Sequence, residues 1–252
     1  MKITWLGQLG LWIETDRASV MVDPYLTDSI YERVGEGYKR LVPLRPEYLA
    51  CRPDVILLTH DHSDHLDIPS LKALLHEEHP IPVLAGSNAW EKARKAVGGS
   101  HNYVQMTPGT EWSVGDLRFR AVRAFHSDPT AVGFVMQGEG LTLYITGDTL
   151  YSRELARQVG ELVDVLITVV NGQGNNMNGT DAARLAQDVG ARLSIPTHWG
   201  LFAKFSDDPE EFLFACRERK LRGLRAKIYE QLDLNRLLKG CLLYTSPSPR
   251  DM

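Results

Sequence analysis

The chain is short of cysteine, of long apolar runs and of positive charge, and each shortage argues against a class of protein. Its three cysteines, Cys51, Cys216 and Cys241, are odd in number and far apart, which argues against a disulfide framework. No apolar run approaches the roughly 20 residues of a transmembrane helix, and the first residues show no signal-peptide pattern. We therefore expect a cytoplasmic protein without a membrane partner.

The charge balance argues against a nucleic-acid partner. The sequence contains 28 basic and 32 acidic residues, for a formal net charge of −4, whereas proteins that grip the phosphate backbone usually carry a basic excess. A small-molecule substrate is the expected partner. The sequence leaves open whether copies of the chain associate into a homo-oligomer.

The length and composition suit one large globular unit. With 252 residues, 43% of them hydrophobic, the chain can bury a full core. We expect a single domain over residues 1–240. Residues 241–252 show no pattern of a strand or helix that would close such a fold, and they resemble vector or adapter read-through. We interpret them as a non-native tail and exclude them from the fold prediction.

Histidine and aspartate are concentrated at residues 59–65, which read THDHSDH and follow a four-residue apolar run typical of a buried strand. Alternate side chains of an extended segment share a face. His60 and His62 can therefore reach one ion together, whereas Asp64 and His65 lie further along the chain. This spacing predicts a metal site, and one stretch that can serve two ions.

Three later segments that read as strands each end in a residue that can bind a metal. His126 follows residues 118–125, Asp148 follows residues 141–146, and His198 follows residues 192–197. Each is weak evidence alone, because a polar residue after a strand is commonly a cap or a turn residue. Together with the THDHSDH stretch they indicate one site assembled from several strand ends.

Taken in order, the H-x-H-x-D-H stretch, a distant histidine, a Gly-Asp-Thr aspartate and a final histidine resemble the pattern of the metallo-β-lactamase-fold hydrolases. Within that superfamily the chain resembles the L-ascorbate-6-phosphate lactonase-like group. Four further stretches carry this likeness: ITWLGQ at 3–8, VDPYL at 22–26, the asparagine-rich loop 171–178 with Asp181-Ala182, and PTHW at 196–199. The resemblance covers about residues 1–239.

The resemblance implies a centre with two divalent ions and seven ligands. His60, His62 and His126 would bind one ion, Asp64, His65 and His198 the other, and Asp148 would bridge them. Asp23 would support the centre from behind, although it equally suits a turn that ends a strand. The candidate metals are Zn²⁺, which suits imidazole, and Mn²⁺, which a site with carboxylates also accepts. Gln8 stands where many relatives carry histidine, and we assign it no catalytic role.

Two cations about 3.5–4 Å apart can lower the pKa of a shared water and present a bridging hydroxide as the nucleophile. They also polarise the carbonyl group under attack. Asp64 and Asp148 are therefore the expected catalytic carboxylates. A Ser-His mechanism through Ser127 fits less well, because the sequence has no G-x-S-x-G elbow and a metal-bound histidine cannot act as a base.

We expect a metal-dependent hydrolase that opens a lactone or ester, with a phosphorylated sugar-acid lactone such as L-ascorbate 6-phosphate as a candidate substrate. Two alternatives stay open. One is a metal-dependent phosphodiesterase or nuclease on the same dinuclear site, which the charge balance disfavours. The other is a non-catalytic metal-binding protein, which the complete ligand set disfavours.

Candidate substrate contacts lie near the predicted ligands. They are Asn171, Asn175, Asn176, Trp199, Lys204 and Arg123, the last two as partners for a phosphate, together with Tyr25, Tyr31 and Tyr38 beside or within the irregular segment 29–52. The remaining histidines, His76, His79 and His101, are expected in solvent.

The order of elements predicts the fold class. A β-rich run is followed by helices and strands, and a second β-rich run is again followed by helices and strands. This order suits an α/β (α+β) protein with two mixed β-sheets packed face to face and helices outside, a four-layer αββα sandwich. The resemblance identifies that sandwich as the metallo-β-lactamase fold.

Overall fold

A computed structural model describes residues 1–76, 78–204 and 208–239. The predicted non-native tail, residues 241–252, lies outside the described residues. None of the helices in the described ranges has the length and apolar content that crossing a membrane requires.

The described residues form thirteen strands and seven α-helices. The strands are β1 (Lys2–Gly7), β2 (Gly10–Glu14), β3 (Ser19–Val22), β4 (Val55–Leu58), β5 (Pro82–Ala85), β6 (Asn102–Gln105), β7 (Glu111–Val114), β8 (Leu117–Arg123), β9 (Val132–Gly138), β10 (Leu141–Ile145), β11 (Val165–Val169), β12 (Leu193–Thr197) and β13 (Gln231–Asp233). The helices are α1 (Ser29–Val34), α2 (Ile68–Leu74), α3 (Ser87–Val97), α4 (Arg153–Val159), α5 (Gly179–Asp188), α6 (Glu210–Glu218) and α7 (Leu234–Lys239). Two short 3-10 helices, Glu36–Tyr38 and Pro46–Ala50, interrupt the segment before β4.

The strands form two mixed sheets, as predicted. The first sheet has the order β13-β1-β2-β3-β4-β5-β6 and the second the order β12-β11-β10-β9-β8-β7. Strands β1 to β3 form an antiparallel meander, whereas β3 to β6 run parallel. In the second sheet β10 to β12 run parallel and β7 to β10 antiparallel.

Strand β4 shows how the layers are built. Its four residues are all buried, and alternate side chains enter different cores. Val55 and Leu57 belong to the core between the sheets, whereas Ile56 and Leu58 pack in a second core with side chains of α2 and α3. Side chains of α4 and α5 pack on the second sheet. This arrangement confirms the prediction of two sheets flanked by helices.

Side-chain caps fix where two helices begin next to the predicted site loops. Asp67 accepts a hydrogen bond from the Ser70 backbone N–H and starts α2 directly after residues 59–65. Asn178 accepts from the Asp181 N–H at 2.8 Å and starts α5 directly after the asparagine-rich loop. A short polar side chain at the N-cap replaces a missing helical bond. Both loops therefore end at fixed points of the scaffold.

Two features differ from the sequence analysis. Strand β13 pairs with β1 and adds an edge to the first sheet, although its three residues have no alternating pattern long enough to predict a strand. The expectation that His101 lies in solvent is wrong, because its side chain is buried and its Nδ1 accepts from the Ile81 N–H. His76 and His79 are exposed, as expected.

Candidate metal centre

The ends of four strands meet where the two sheets adjoin. Residues 59–65 follow β4, Asp148 follows β10 and His198 follows β12, while His126 lies three residues beyond β8. The Val132 N–H donates to the Thr59 carbonyl at 3.0 Å and joins the two sheets beside the site. Gly147 precedes Asp148 with a φ of +65°, and a Cβ there would lie 2.7 Å from the Val132 oxygen. Only glycine fits this approach without strain.

Three histidines from both sheets converge in what we call the three-histidine group, His60, His62 and His126. One ring nitrogen from each lies within 4.8 Å of the others, and Nε2 of His126 is 3.2 Å from Nδ1 of His62. At this separation the lone pairs of the two nitrogens repel each other when both rings present an acceptor. A cation or a proton is needed between them.

The outer nitrogen of each ring is already committed. His60 Nδ1 lies 3.0 Å from Thr59 Oγ1, and His126 Nδ1 donates to the Asn175 carbonyl at 3.2 Å. Ser127 Oγ is 3.3 Å from Nε2 of His62. Because a neutral imidazole has one donor and one acceptor nitrogen, the carbonyl of Asn175 turns the acceptor nitrogen of His126 inward. The hydroxyls of Thr59 and Ser127 can accept from His60 and His62 in the same way.

Three further residues form what we call the aspartate group, Asp64, His65 and His198. Their ligand atoms also lie within 4.8 Å of one another. Nε2 of His65 is 3.2 Å from Nε2 of His198, and Asp64 Oδ2 is 3.4 Å from the latter nitrogen. This is again a space lined by groups that bind divalent cations.

Asp148 contacts the aspartate group with both carboxylate oxygens. Oδ1 is 3.4 Å from Nε2 of His65, and Oδ2 is 3.3 Å from Nε2 of His198. Asn176 fixes the orientation of the carboxylate, because its Nδ2 donates to Oδ2 at 2.8 Å. The other acid of the sequence stretch, Asp61, was not predicted as a ligand and forms an ion pair with Lys92.

Asp23 lies behind the histidines and is fully buried. Its Oδ1 accepts from the Thr59 N–H at 2.8 Å, and its Oδ2 accepts from Thr59 Oγ1 and from His65 Nδ1 at 2.5 and 2.8 Å. Asp23, His60 and His65 are also close enough to hold an ion. However, the nitrogens on that side are already hydrogen-bonded to Asp23 and Thr59, so we assign Asp23 to the orientation of His65.

Two buried atoms show that the cluster fits divalent cations. Within the described residues, His60 Nε2 and Asp148 Oδ1 are buried and have no hydrogen-bond partner. A buried polar atom without a partner destabilises a fold, and the groups around these atoms are imidazole and carboxylate, which bind zinc and manganese. The residues present therefore fit the metal ions that the sequence pattern implies.

The charges of the cluster balance one another. Burial lowers the pKa of His60 well below its ordinary value, so this ring is neutral. Burial acts in the same direction on His198, but Asp148 and Asp64 outweigh it and raise the pKa of His198 to about 9. The pKa of His65 is raised for the same reason. Burial would raise the pKa of Asp64 and Asp148, but the facing histidines hold both well below the ordinary value.

The raised pKa of His198 predicts how the stability of the metal-free protein depends on pH. A pKa raised from 6.5 to about 9 stabilises the fold below pH 6.5, and that stabilisation is lost as the pH rises through about 9. The shift corresponds to on the order of 3 kcal/mol. Between pH 6 and 10 we expect the Tm of chelator-treated protein to fall by about 6–12 °C.

The measurement is a thermal melt at each pH, with the variant His198→Gln as the test and His76→Gln as the control. His76 is exposed, so its removal should leave the fall unchanged, whereas His198→Gln should reduce it. A Tm that stays level in the parent protein over this range would contradict the assigned charge pairs.

A cavity of about 210 Å³ opens onto this cluster. Its walls are formed by Tyr38, His62, Asp64, His126, Ser127, Asp148, Asn171, Gln173, Gly174, Asn176 and His198. Four predicted metal ligands besides Asp148 thus reach the cavity surface. Two of the predicted substrate contacts, Asn171 and Asn176, are among the lining residues, and the Oδ1 atom of each is buried without a hydrogen-bond partner in the described residues.

The other predicted substrate contacts lie elsewhere. Trp199 packs on Trp5 with 5.1 Å between ring centroids, and the Arg123 guanidinium lies over the Phe125 ring at 5.2 Å. The Lys204 ammonium lies 5.4 Å from the centre of the ring of Tyr38, which lines the cavity. The Asn175 side chain does not line the cavity, and its backbone carbonyl holds His126.

Of the three candidate tyrosines, the structure brings one to the cavity. Tyr38 lines the wall, and Phe202 contacts its ring edge-on at 5.6 Å. Tyr25 is buried against Phe202 and below Arg40. Tyr31 donates its hydroxyl to Glu36. A pattern of polar and glycine residues cannot distinguish these three orientations.

Sequence reasoning missed one residue of the cluster. Gln8 is buried, and its Nε2 donates to Asp64 Oδ2 at 2.8 Å. Its position in the turn between β1 and β2 gave no sign of this contact, because Asp64 is 56 residues away in the sequence. The available signal was the family resemblance, which implies a histidine where this chain has Gln8.

The chain matches a known protein family over most of its length. Residues 19–199 match the family model of the "Beta-lactamase superfamily domain". The chain is similar to a UPF0173 metal-dependent hydrolase of Methanopyrus kandleri, with 30% identity over 225 residues, which cover 84% of this chain and 90% of the relative. It is also similar to the Escherichia coli protein named "Probable L-ascorbate-6-phosphate lactonase UlaG", with 24% identity over 264 residues, 86% of this chain and 75% of that protein.

A solved structure shows the same fold. The chain is similar to the metallo-β-lactamase fold protein YhfI of Bacillus subtilis, with a TM-score of 0.69 and 17% identity over 92% of this chain and 98% of that one. At this level of identity the likeness concerns the fold alone. It confirms the predicted sandwich of two sheets.

Proposed function

Because the chain belongs to the β-lactamase superfamily and is a metal-dependent hydrolase of its metallo-β-lactamase branch, we propose that it opens a lactone or ester of a polar small molecule with two divalent ions, Zn²⁺ or Mn²⁺. The candidate substrate is a phosphorylated sugar-acid lactone such as L-ascorbate 6-phosphate. In this proposal the three-histidine group would hold one ion, the aspartate group would hold the other, and Asp148 would be a ligand shared by both.

One observation carries the proposal. Two pairs of ring nitrogens, one in each group, stand 3.2 Å apart, and three of these rings, His62, His126 and His198, line the cavity. In His65 and His126 the opposite nitrogen donates to a carboxylate or carbonyl oxygen, so the facing nitrogen is the acceptor whenever the ring is neutral, as it must be to bind a metal. Lone pairs directed at one another in this way are suited to cations.

The protein side chains orient the ligands and the substrate. When bound, two divalent cations supply a water of lowered pKa and polarise the carbonyl that it attacks. Asn176 holds the Asp148 carboxylate by a hydrogen bond. Asn171 is buried and its Oδ1 lacks a partner within the described chain, so it can accept a hydrogen bond from a substrate hydroxyl beside the reacting carbonyl.

A phosphate on the substrate would need a cation at the cavity mouth. Lysine and arginine are absent from the lining residues of the described chain. Arg33, however, donates from Nη2 to Ser63 Oγ at 2.8 Å, and Ser63 lies between His62 and Asp64, which both line the cavity. We assign the phosphate contact to Arg33 in place of Arg123, because the guanidinium of Arg123 covers Phe125.

The test is hydrolysis of L-ascorbate 6-phosphate and of the unphosphorylated lactone by protein loaded separately with Mn²⁺ and Zn²⁺. We expect metal-dependent opening that prefers the phosphorylated compound. A hydrogen bond to a charged group contributes about 1.5–3 kcal/mol, so Arg33→Met should reduce that preference by about tenfold or more. The matched control is Arg45→Met, which removes an exposed arginine paired with Glu47.

Two results would contradict the proposal at different levels. If protein that holds two ions opens neither compound, the substrate class is wrong and the search moves to other esters and phosphodiesters. If Arg33→Met leaves the preference for the phosphorylated compound unchanged, the lactonase activity stands and the assignment of the phosphate contact to Arg33 is wrong.

A further inference from the structure

Gln8 occupies a strained turn that is bonded to the opposite sheet. It lies between β1 and β2 with a φ of +47°, and its backbone oxygen accepts from the indole N–H of Trp5 at 2.8 Å and from the His198 N–H at 2.9 Å. His198 itself has a φ of +64°. Left-handed conformations are costly for residues other than glycine and cluster at functional sites. The turn thus holds Gln8 against a predicted metal ligand.

The side chain of Gln8 reaches the aspartate group. It is 2% exposed, and its Nε2 donates to Asp64 Oδ2 at 2.8 Å. The same oxygen lies 3.4 Å from Nε2 of His198 and 3.7 Å from Nε2 of His65. Asp64 Oδ2 is therefore shared between the glutamine amide and the space in which a cation would bind.

The Asp64 carboxylate needs a hydrogen-bond donor to fix its orientation, because few other groups restrain it. The residue lies in a turn, and its side chain is 23% exposed to solvent. In the described part of the chain the other groups near Oδ2 are the rings of His65 and His198. A carboxylate oxygen has two lone pairs, so it can accept from Gln8 and bind a cation at the same time.

We propose that Gln8 is a positioning residue of the aspartate group. Its hydrogen bond from Nε2 to Asp64 Oδ2 holds the Asp64 carboxylate toward the cation that this group would bind. The three-histidine group does not depend on it, because no contact of Gln8 within the described residues reaches His60, His62 or His126. This inference rests on the proposed function, since it assumes that the aspartate group binds an ion. It predicts a defect confined to one of two binding events.

The experiment is calorimetric titration of the metal-free, full-length protein with Zn²⁺. Gln8→Met keeps the length of the side chain and removes the donor. We expect the affinity of the aspartate group for its ion to fall by about 10–100-fold, the range typical of residues that orient metal ligands. The affinity of the three-histidine group should stay unchanged. Gln8→His provides a ring N–H donor and should restore part of the lost affinity.

Gln137→Met is the matched control. Gln137 also donates its Nε2 to a carboxylate, that of Glu161, and it does not line the site cavity. Its replacement should leave both binding events unchanged. A melt of each metal-free variant measures any general loss of stability, which would lower the affinity for both ions.

Four outcomes overturn the inference. They are unchanged affinities in Gln8→Met, an equal loss of both, no recovery in Gln8→His, and the same selective loss in Gln137→Met. Wild-type protein that binds fewer than two ions would overturn both this inference and the two-ion proposal. Failure of the lactonase proposal alone gives a different result: the wild-type protein binds two ions but opens neither lactone.

Discussion

Asp148→Ala is expected to abolish turnover and to release metal while leaving the fold largely intact. The carboxylate lies within 3.4 Å of ring nitrogens from both His65 and His198, and its Oδ1 has no hydrogen-bond partner among the described residues. Removal of a residue that only orients a ligand lowers metal affinity or activity by about 10–100-fold, so removal of Asp148, the predicted bridging ligand, should lower both by more than about 100-fold. Turnover and bound metal are measured on the same sample.

The fold should survive because Asp148 contributes charge to the site and little to the cores. Its pKa is held well below the ordinary value by His198 and His65, against the effect of burial. Its removal leaves His198 beside Asp64, and His65 beside Asp23 and Asp64. Far-UV circular dichroism should stay unchanged.

Asp148→Asn separates the charge of the carboxylate from its volume. Asn keeps the size of the side chain and one oxygen for Asn176, but it carries no negative charge. It should also lose turnover if the charge is required. Asp116→Ala is the control, because Asp116 is an exposed residue of the turn between β7 and β8. Unchanged turnover in Asp148→Ala would contradict the bridging assignment.

The sequence predicted the cluster because its ligands lie at strand ends. In a sandwich of two sheets such ends fall at one edge, so His126, Asp148 and His198 could be joined to residues 59–65 without knowledge of the topology. The periodicity of β4, where Val55 and Leu57 face one core and Ile56 the other, depends on the same local rule. Local patterns were sufficient to predict that these side chains lie together and that the sheets form layers.

The sequence could not predict contacts that depend on the path of loops. Arg123 is three residues from His126, yet its guanidinium covers Phe125. Arg33 is 30 residues from Ser63 and donates to it. Distance along the chain predicts contact only within one element, because a turn can direct neighbouring side chains to opposite faces. For the same reason Gln8 could be placed at the aspartate group only from the three-dimensional structure.

Asp23→Asn is expected to retain the fold and to lose the ion of the aspartate group. Asparagine tolerates the left-handed conformation that Asp23 adopts, with a φ of +37°, and its oxygen can still accept from the Thr59 N–H. The new amide nitrogen, however, replaces the oxygen that accepts from His65 Nδ1. The ring would then carry its proton on Nε2, the nitrogen that faces the second cation.

A protonated Nε2 cannot bind a metal, so affinity at this group should fall by at least about 10–100-fold. Zn²⁺ titration and ¹⁵N chemical shifts of the His65 ring measure the affinity and the tautomer. Asp54→Asn is the matched control, because Asp54 also accepts from a backbone N–H and a hydroxyl, those of Ser19, but contacts no histidine. Unchanged affinity with a changed tautomer would contradict His65 as a ligand.

Asp23→Ala should show the structural part of the same role. Alanine leaves the buried Thr59 N–H and His65 Nδ1 without acceptors, and the loss of one partner from a buried polar group or ion pair costs on the order of 3–5 kcal/mol. Thr59 also lies 3.0 Å from His60 Nδ1, so its displacement should weaken the three-histidine group as well. If Asp23 only ended a strand, both variants would bind two ions normally. A selective loss in Asp23→Asn and a general loss in Asp23→Ala would together assign it to the orientation of His65.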